Sequence, residues 1–421
     1  MFNMNNAVFN VIERQKVERK QILGDSAVTR MLAPTLRESL KRQKLIKAVI
    51  GPRRSGKSTL VHQVLSVSCE EYAYINFEDE QLPLDIDYET IDLALAKAYP
   101  AASWYFFDEI QVVPRWEQLL NRLERSGRKL VISGSNSKLL SSELSSTLTG
   151  RHEAFEVFPF SYEEYCQAHQ GLSRNSDLFK QYLLSGGFPD VAMGRANSQN
   201  YLRELWDSII LKDIVQRYRV RSVSELKSLM SIIRDSVSSP LSQRSLERAM
   251  LGRISIATVG KFIGYAQGAY LTFMLEGFSF KARERVNSEK KAYLVDNGFY
   301  TGMKVGGQDD YGRLLENFVF ISLLRRGLKA NLDLFYYKTR SGREVDFVVL
   351  QNGKPNSLIQ VAWSLSSQKT LERELAAISE AAQQLGAREA TIITFQEKAV
   401  HSSAGVNIQV LPITDFDTIS V

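Results

Sequence analysis

Short apolar runs rich in β-branched and aromatic residues recur through the first third of the chain. They lie at Leu45–Ile50, Tyr72–Phe77, Ser103–Phe107, Lys129–Ser133 and Glu153–Phe158. Stretches of helical periodicity separate them, and residues 11–47 read as helices of mixed charge. Near-continuous apolar strands alternating with helices predict a parallel sheet covered on both faces. Residues 161–219 read as mainly helical, broken at Ser185-Gly186-Gly187-Phe188-Pro189. Residues 222–300 predict several short helices followed by strands at Phe278–Lys281 and Ala292–Val295. The remainder returns to mixed α/β: a helix at Gly312–Arg326, two paired strands within 334–350, a strand at 358–363, a helix at 368–385 and a strand at 390–395. No internal repeat or low-complexity stretch interrupts this order.

At roughly 100–200 residues per domain, 421 residues predict about two to four domains. The hydrophobic share of 44% and charged share of 24% exclude a disordered or collagen-like chain. No apolar run is long enough for a transmembrane helix. The polar N-terminus lacks the apolar core of a secretion signal. Cys69 and Cys166 cannot frame a disulfide scaffold, and His62, His152, His169 and His401 lack metal-ligand spacing. The expectation is a cytoplasmic protein with no membrane partner and no structural metal.

Charge changes the picture. The net charge is +6, but residues 1–50 carry +6 and residues 221–300 carry +5, leaving −5 for the rest. Two basic segments on a near-neutral body suggest a polyanion partner, with a solvated basic face as the alternative.

The run Gly51-Pro52-Arg53-Arg54-Ser55-Gly56-Lys57-Ser58-Thr59 fits G-x-x-x-x-G-K-[ST] between a predicted strand and a predicted helix. Glycines let such a loop turn its N–H groups toward phosphates, and the following helix N-terminus adds positive potential. Lys57 is the candidate ligand of the β- and γ-phosphates, and Ser58 offers a hydroxyl to Mg²⁺. Downstream, an apolar strand ends in Asp108-Glu109. Asp108 is the candidate Mg²⁺ partner and Glu109 the candidate base for the attacking water. The next strand ends in Ser133-Gly134-Ser135-Asn136, where Asn136 or Ser135 could sense the γ-phosphate. A plain helix cap by Asn136 or Ser137 is the alternative, with the helix running on to Leu148. Arg151, after Gly150, is a candidate to reach a neighbouring subunit's nucleotide; a surface arginine in a turn is the alternative.

From Gly51 to Phe160 the chain resembles an AAA+ ATPase. More narrowly, it resembles a prokaryotic AAA+ family with a C-terminal nuclease-like domain. The resemblance rests on GPRRSGKST, NFED at 76–79, FFDEIQ at 106–111, SGSNSKLL at 133–140 and LTGR at 148–151. It continues through FPFSYEEY at 158–165, GGFPD at 186–190, LKDIVQRYRV at 211–220, YLVDNG at 293–298 and EVDFVV at 344–349. It implies ATP hydrolysis, a helical lid, a winged helix, and ring or filament assembly. The implied fold is an α/β P-loop AAA+ parallel sheet (1–165, with N-terminal helices), a helical lid (166–220), a winged-helix domain (221–300) and a C-terminal α/β nuclease-like domain (301–421). Under it the Gly186–Pro189 break becomes a lid turn beside the adenine; an ordinary helix connection is the alternative. Asp213 and Arg217, four apart on a helix, are expected to pair.

In the implied winged helix, Ser242 and Ser255 read as N-caps. The second capped helix, Ile256–Gln267, carries Thr258, Lys261 and Gln267 on faces suited to a major groove. Arg244, Arg248 and Arg253 are candidate phosphate contacts, with Lys281, Arg283 and Arg285 on the wing; protein packing is the alternative use. The C-terminal region resembles a restriction-endonuclease-like fold, with Glu316 on the helix and Asp346 on the strand in matching positions. The Glu-x-Lys of that fold reads Gln360-Val361-Ala362, which removes a hard-cation ligand and the amine. A degenerate site without nuclease activity is expected.

The expected protein is therefore an ATP- and Mg²⁺-dependent ATPase acting on DNA, duplex or branched, as a homo-oligomer, with a hexameric ring among the forms implied. The alternative is a slow ATP-driven switch whose C-terminal domain recognises a partner protein or foreign nucleic acid.

Overall fold

The computed structural model describes residues 2–24, 28–42, 45–83, 85–136, 150–169, 175–304, 306–387 and 389–418. The chain gathers into two compact units. One is Met1–Leu178 with Gly187–Arg195 and Gly268–Tyr270; the other is Phe179–Gly186 with Ala196–Gln267 and Leu271–Val421.

The first unit is built on β1 (Ile46–Ile50), β2 (Tyr72–Asn76), β3 (Trp104–Asp108), β4 (Lys129–Gly134) and β5 (His152–Glu156). They form one sheet in the order β2-β3-β4-β1-β5, every pair parallel. Burial on both faces explains why β1 to β4 read as continuous apolar runs rather than alternating ones; β5, at the sheet edge, buries only Phe155. One side packs Val49, Leu60, Val64, Tyr74, Phe106 and Val131 into a common core. Within it His62, on the helix Lys57–Ser68, is fully buried: Nδ1 lies 3.0 Å from the Tyr72 hydroxyl, and the ring meets Tyr74 and Phe106 edge-on.

The long helix Phe2–Gly24 lies against β2 and the helix Tyr88–Ala98. Its basic side chains are turned to this packing. Arg14 pairs with Asp79, Lys16 donates to the Ala98 carbonyl, and Arg19 lies over the Tyr72 ring while donating to the Tyr72 carbonyl. Arg30 and Lys47, both buried, pair with Glu164 and Glu153. Part of the positive charge of residues 1–50 is thus used within the unit, while Lys20, Arg37, Lys41 and Arg42 remain exposed.

The second unit contains β6 (Pro240–Leu241), β7 (Thr272–Glu276) and β8 (Lys290–Leu294), an antiparallel sheet in the order β6-β8-β7. It also contains β9 (Leu334–Lys338), β10 (Glu344–Gln351), β11 (Lys354–Val361), β12 (Glu389–Thr394), β13 (Ala399–Ser403) and β14 (Val406–Pro412). These form a mixed sheet in the order β13-β14-β12-β11-β10-β9. The helix Gln368–Leu385 links the parallel strands β11 and β12 and buries Ala377, Ile378 and Ala381 against Val348, Leu358 and Ile392.

Three expectations need correction. The strand expected at Phe278–Lys281 is instead β7, six residues earlier by its first residue. Phe278 does pair once, donating its N–H to the Tyr336 carbonyl, but Phe280 is exposed and a helix begins at Ala282. β13 and β14 were not anticipated; β13 is a half-exposed edge with too few apolar positions to stand out. Arg217 Nη1 is buried without a hydrogen-bond partner, at odds with the pairing expected with Asp213. Residues 209–216 are wound as a π-helix, so the α-helical four-residue neighbour rule does not hold there. The Ser137 cap and the helix expected up to Leu148 lie outside the described residues, as do residues 137–140 of SGSNSKLL and 148–149 of LTGR. No described helix is long and apolar enough to cross a membrane.

Burial, with Arg19 adding to it, pushes the His62 pKa down to about 3 from 6.5. Below pH 6.5 the unfolded chain takes up a proton that the folded chain refuses, so stability falls as pH falls toward 3. This one group should remove about 2 kcal/mol between pH 7 and pH 5. Urea unfolding of the parent and His62→Gln at both pH values is the test. The variant is expected to lose less stability on acidification by that amount; equal losses would show that folded His62 takes up its proton as readily as the unfolded chain does.

Candidate nucleotide site

β1 and β3 end at the same edge of the sheet, and the residues that follow them form the site. At Gly51 the backbone takes φ 152°, and a Cβ there would stand 2.0 Å from the Val157 carbonyl oxygen. Arg54 (φ 63°) and Gly56 (φ 87°) complete the curl, and the Ser55 N–H closes a turn onto the Pro52 carbonyl. The helix Lys57–Ser68 starts directly from it. Buried Lys57 folds back, Nζ 3.1 Å from the Pro52 carbonyl and 3.5 Å from Glu109 Oε1. Arg53 makes a two-pronged ion pair with Glu78 of the NFED run, at 2.7 and 2.8 Å. Arg54 is exposed, and Thr59 is half-buried in the helix's first turn.

Asp108 accepts hydrogen bonds from the Ser133 and Ser58 hydroxyls. Burial, then the charge on Glu109, raises its pKa to about 6. Glu109 moves the other way. Burial is the largest influence and pushes upward, but Lys57, Gln111, Arg53 and the Ser135 N–H together hold it below the usual carboxylate value. Two adjacent acids are thereby given different proton affinities. Glu109 sits in the left-handed region (φ 51°), a strained conformation at the carboxylate closest to the lysine. Its Oε2 accepts from Gln111 and from the Ser135 N–H. The neighbouring Ser58 hydroxyl and Asp108 carboxylate are hard oxygen donors, a set that suits Mg²⁺.

Asn136 is buried two residues after β4 at the same strand end. Arg151 stands apart: it is largely exposed, with Nη1 3.6 Å from Glu124 on the helix Trp116–Arg125. The Gly187–Pro189 turn does lie beside the loop. The Phe160 N–H donates to the Gly187 carbonyl, and a Cβ on Gly56 would be 3.8 Å from Pro189.

Arg30 was missed by sequence reasoning. Its guanidinium is buried beneath the loop and meets three acceptors: Nε to Glu164 at 2.9 Å, Nη1 to the Ser55 carbonyl at 2.6 Å, and Nη2 to the Phe158 carbonyl at 2.7 Å. Glu164 is itself fixed by a reciprocal cap with Ser161 at the start of the helix Tyr162–Ala168. The available signal was one cation set among apolar neighbours at Val28–Leu32, just ahead of a helix.

Arg30→Ala should leave Glu164 buried without its cation and cost about 3–5 kcal/mol. Replacing both partners, Arg30→Met with Glu164→Met, should recover most of that stability yet still weaken nucleotide binding, because the Ser55 carbonyl loses its anchor. Thermal unfolding and titration with a fluorescent ATP analogue separate the two effects. Parent-like nucleotide affinity in the double variant would show that the loop does not depend on Arg30.

Comparison with known proteins agrees with this geometry. Residues 43–166 match the model of an AAA domain, residues 176–309 a domain of unknown function, DUF8612, and residues 311–416 another, DUF4143. The uncharacterized protein MJ1544 of Methanocaldococcus jannaschii is 32% identical over 358 residues, 81% of this chain and 79% of its own. An uncharacterized protein of Haemophilus influenzae is 29% identical, over 73% of this chain and 80% of its own. Among solved structures, the Thermotoga maritima RuvB Holliday junction branch migration motor aligns with a TM-score of 0.34 at 17% identity, covering 58% of this chain and 89% of that one. AMPPCP-bound DnaA from Aquifex aeolicus aligns at 0.30 and 13%, covering 57% and 88%. Those two scores are too low to carry an argument, and the assignment rests on the AAA match and the archaeal relative. With its identity to MJ1544 held over about four fifths of both chains, the protein belongs to the family of that archaeal protein, and its first unit carries an AAA-type ATPase domain.

Proposed function

We propose that the protein hydrolyses ATP and couples the cycle to DNA as a homo-oligomer, a hexameric ring being the assembly the AAA resemblance suggests, and that it works in the cytoplasm. The observation that carries the ATPase reading is the convergence of Lys57, Ser58, Asp108 and Glu109 at one strand edge. Lys57 exchanges its loop carbonyl and Glu109 for the β- and γ-phosphates, with the N–H groups of Gly51–Thr59 around them. Ser58 and Asp108 hold Mg²⁺, which neutralises phosphate charge when bound. Glu109, released from Lys57 and kept ionised, orients and deprotonates the attacking water. Asn136 or Ser135 senses the γ-phosphate, and the exposed Arg151 reaches the nucleotide of an adjacent subunit.

The DNA reading rests on the basic middle segment, taken as a winged helix. In support, the helix Val223–Asp235, β6, the helices Gln243–Ala249 and Ile256–Gly268, then β7 and β8 follow in that order. The Ser242 and Ser255 caps are made. Arg244, Arg248, Arg253 and Lys261 are exposed on or beside the two capped helices, with no carboxylate partner among the described residues. Residues 166–220 serve as lid, and residues 301–421 as a nuclease-like domain without cleavage activity. Lys281 differs from the helix cations in being paired with Glu284.

Lys57→Ala should abolish nucleotide binding. Glu109→Gln should bind and retain ATP while turnover drops by about 10²–10⁴. Nucleotide retention and phosphate release read both, and normal turnover by Glu109→Gln would remove it from the catalytic role.

For DNA, fluorescence titrations at several salt concentrations should show the affinity falling steeply with salt. Arg244→Gln, Arg248→Gln and Lys261→Gln combined should weaken binding and flatten the salt slope by about one unit per lost phosphate contact. ATP affinity should be unchanged. Parent-like binding would make this segment a packing module, and no binding by the parent at any salt would favour a protein partner.

A further inference from the structure

Lysine is almost never fully buried unless its charge is met. Lys291 on β8 is only 1% exposed, and its ammonium is met three times. Nζ lies 2.7 Å from Glu316 Oε1, 2.9 Å from Glu344 Oε1 and 2.9 Å from Asp346 Oδ1. The ammonium thus has three carboxylates within ion-pair distance and donates a hydrogen bond to Asp346. The acids come from two further elements, the helix Tyr311–Arg325 and β10, where Glu344 and Asp346 are two apart and share a face. Two of the three acids have further partners. Glu316 also accepts from the Tyr293 hydroxyl at 2.7 Å, and Asp346 Oδ2 accepts from the Val361 N–H at 2.9 Å. Gln360 faces elsewhere: its amide donates to Glu374 and its oxygen accepts the Asp346 N–H.

Three carboxylate oxygens around one point are the usual surroundings of a hard divalent cation, but such an ion requires oxygens at about 2.0–2.6 Å. Here they stand at hydrogen-bond distance from nitrogen, and no group of acid, His or Cys side chains among the described residues is spaced for a metal. Without a central cation the three acids, two of them buried and Glu344 half-buried, would repel one another. We infer that Lys291 provides from within the chain the positive charge that a divalent cation would provide at Glu316, Glu344 and Asp346, so that the cluster is a cation site closed by its own lysine. This inference does not depend on the ATPase or the DNA reading. The pinned ammonium joins the three-stranded sheet to the helix and mixed sheet of the same unit without any metal requirement.

The test uses the full chain without nucleotide, in an Asp108→Asn background so that Mn²⁺ cannot report on the first unit. Mn²⁺ binding is followed by electron paramagnetic resonance and by thermal unfolding. The background protein should bind no Mn²⁺ at the cluster and melt at the same temperature with Mn²⁺ or EDTA. Lys291→Ala should melt lower in EDTA, take up one Mn²⁺ per chain and regain melting temperature with it, and adding Asp346→Asn should abolish both gains. Because Lys291→Ala could fail to fold, Lys291→Met with Glu344→Gln, which leaves less unpaired charge, is run beside it with the same expectation. Mn²⁺ binding by the background protein that Asp346→Asn removes would overturn the inference. So would a folded Lys291 variant of either kind that gains no Mn²⁺, or failure of both to fold with and without Mn²⁺.

Discussion

The nucleotide loop depends on one buried guanidinium. A loop that points its N–H groups outward turns carbonyls inward, and those carbonyls need donors once water is excluded. Arg30 supplies three donors in a fixed plane, to Ser55 in the loop, to Phe158 after β5 and to Glu164 at a helix start. Its rigid fork serves all three where a lysine would offer a point charge. The Phe160 N–H bond to Gly187 extends the same set of contacts to the glycine turn. Segments far apart in sequence are thereby held to one geometry before nucleotide arrives.

The two units answer the problem of buried charge in related ways. In the first, Lys57 rests between a loop carbonyl and Glu109, at 3.1 and 3.5 Å. In the second, Lys291 is seized by three carboxylates at 2.7–2.9 Å and is nearly invisible to solvent. Burial, outweighed by Asp346 and its neighbours, still leaves the Lys291 pKa well above its ordinary value. One lysine is poised for exchange; the other is locked.

What could be read from the sequence follows from how local each signal is. Four of the five parallel strands were legible because strands buried on both faces are continuous in apolar character, and the loop was legible because its donors are consecutive residues. The Ser242 and Ser255 caps were legible for the same reason, each acting three residues away. Arg30 and Lys291 were not, because their partners lie 25 to 134 and 25 to 55 residues distant. Glu316 and Asp346 were singled out, yet the lysine between them comes from a different sheet. Charge counting at the N-terminus does not separate Arg14, Lys16 and Arg19, which serve internal packing, from exposed Lys20, Arg37 and Arg42. β7 was displaced because Phe278 and Phe280 imitate strand alternation beyond Gly277, where pairing with β8 has already ended.

The close approach of Gly51 to Val157 bears on how sequence change in such chains should be interpreted. A side chain at that position would collide with the backbone leaving β5, whatever the loop binds. Selection for the fold alone would therefore retain this glycine, even in a descendant that had ceased to use nucleotide. Retention of Gly51 therefore records the architecture and is no record of nucleotide use.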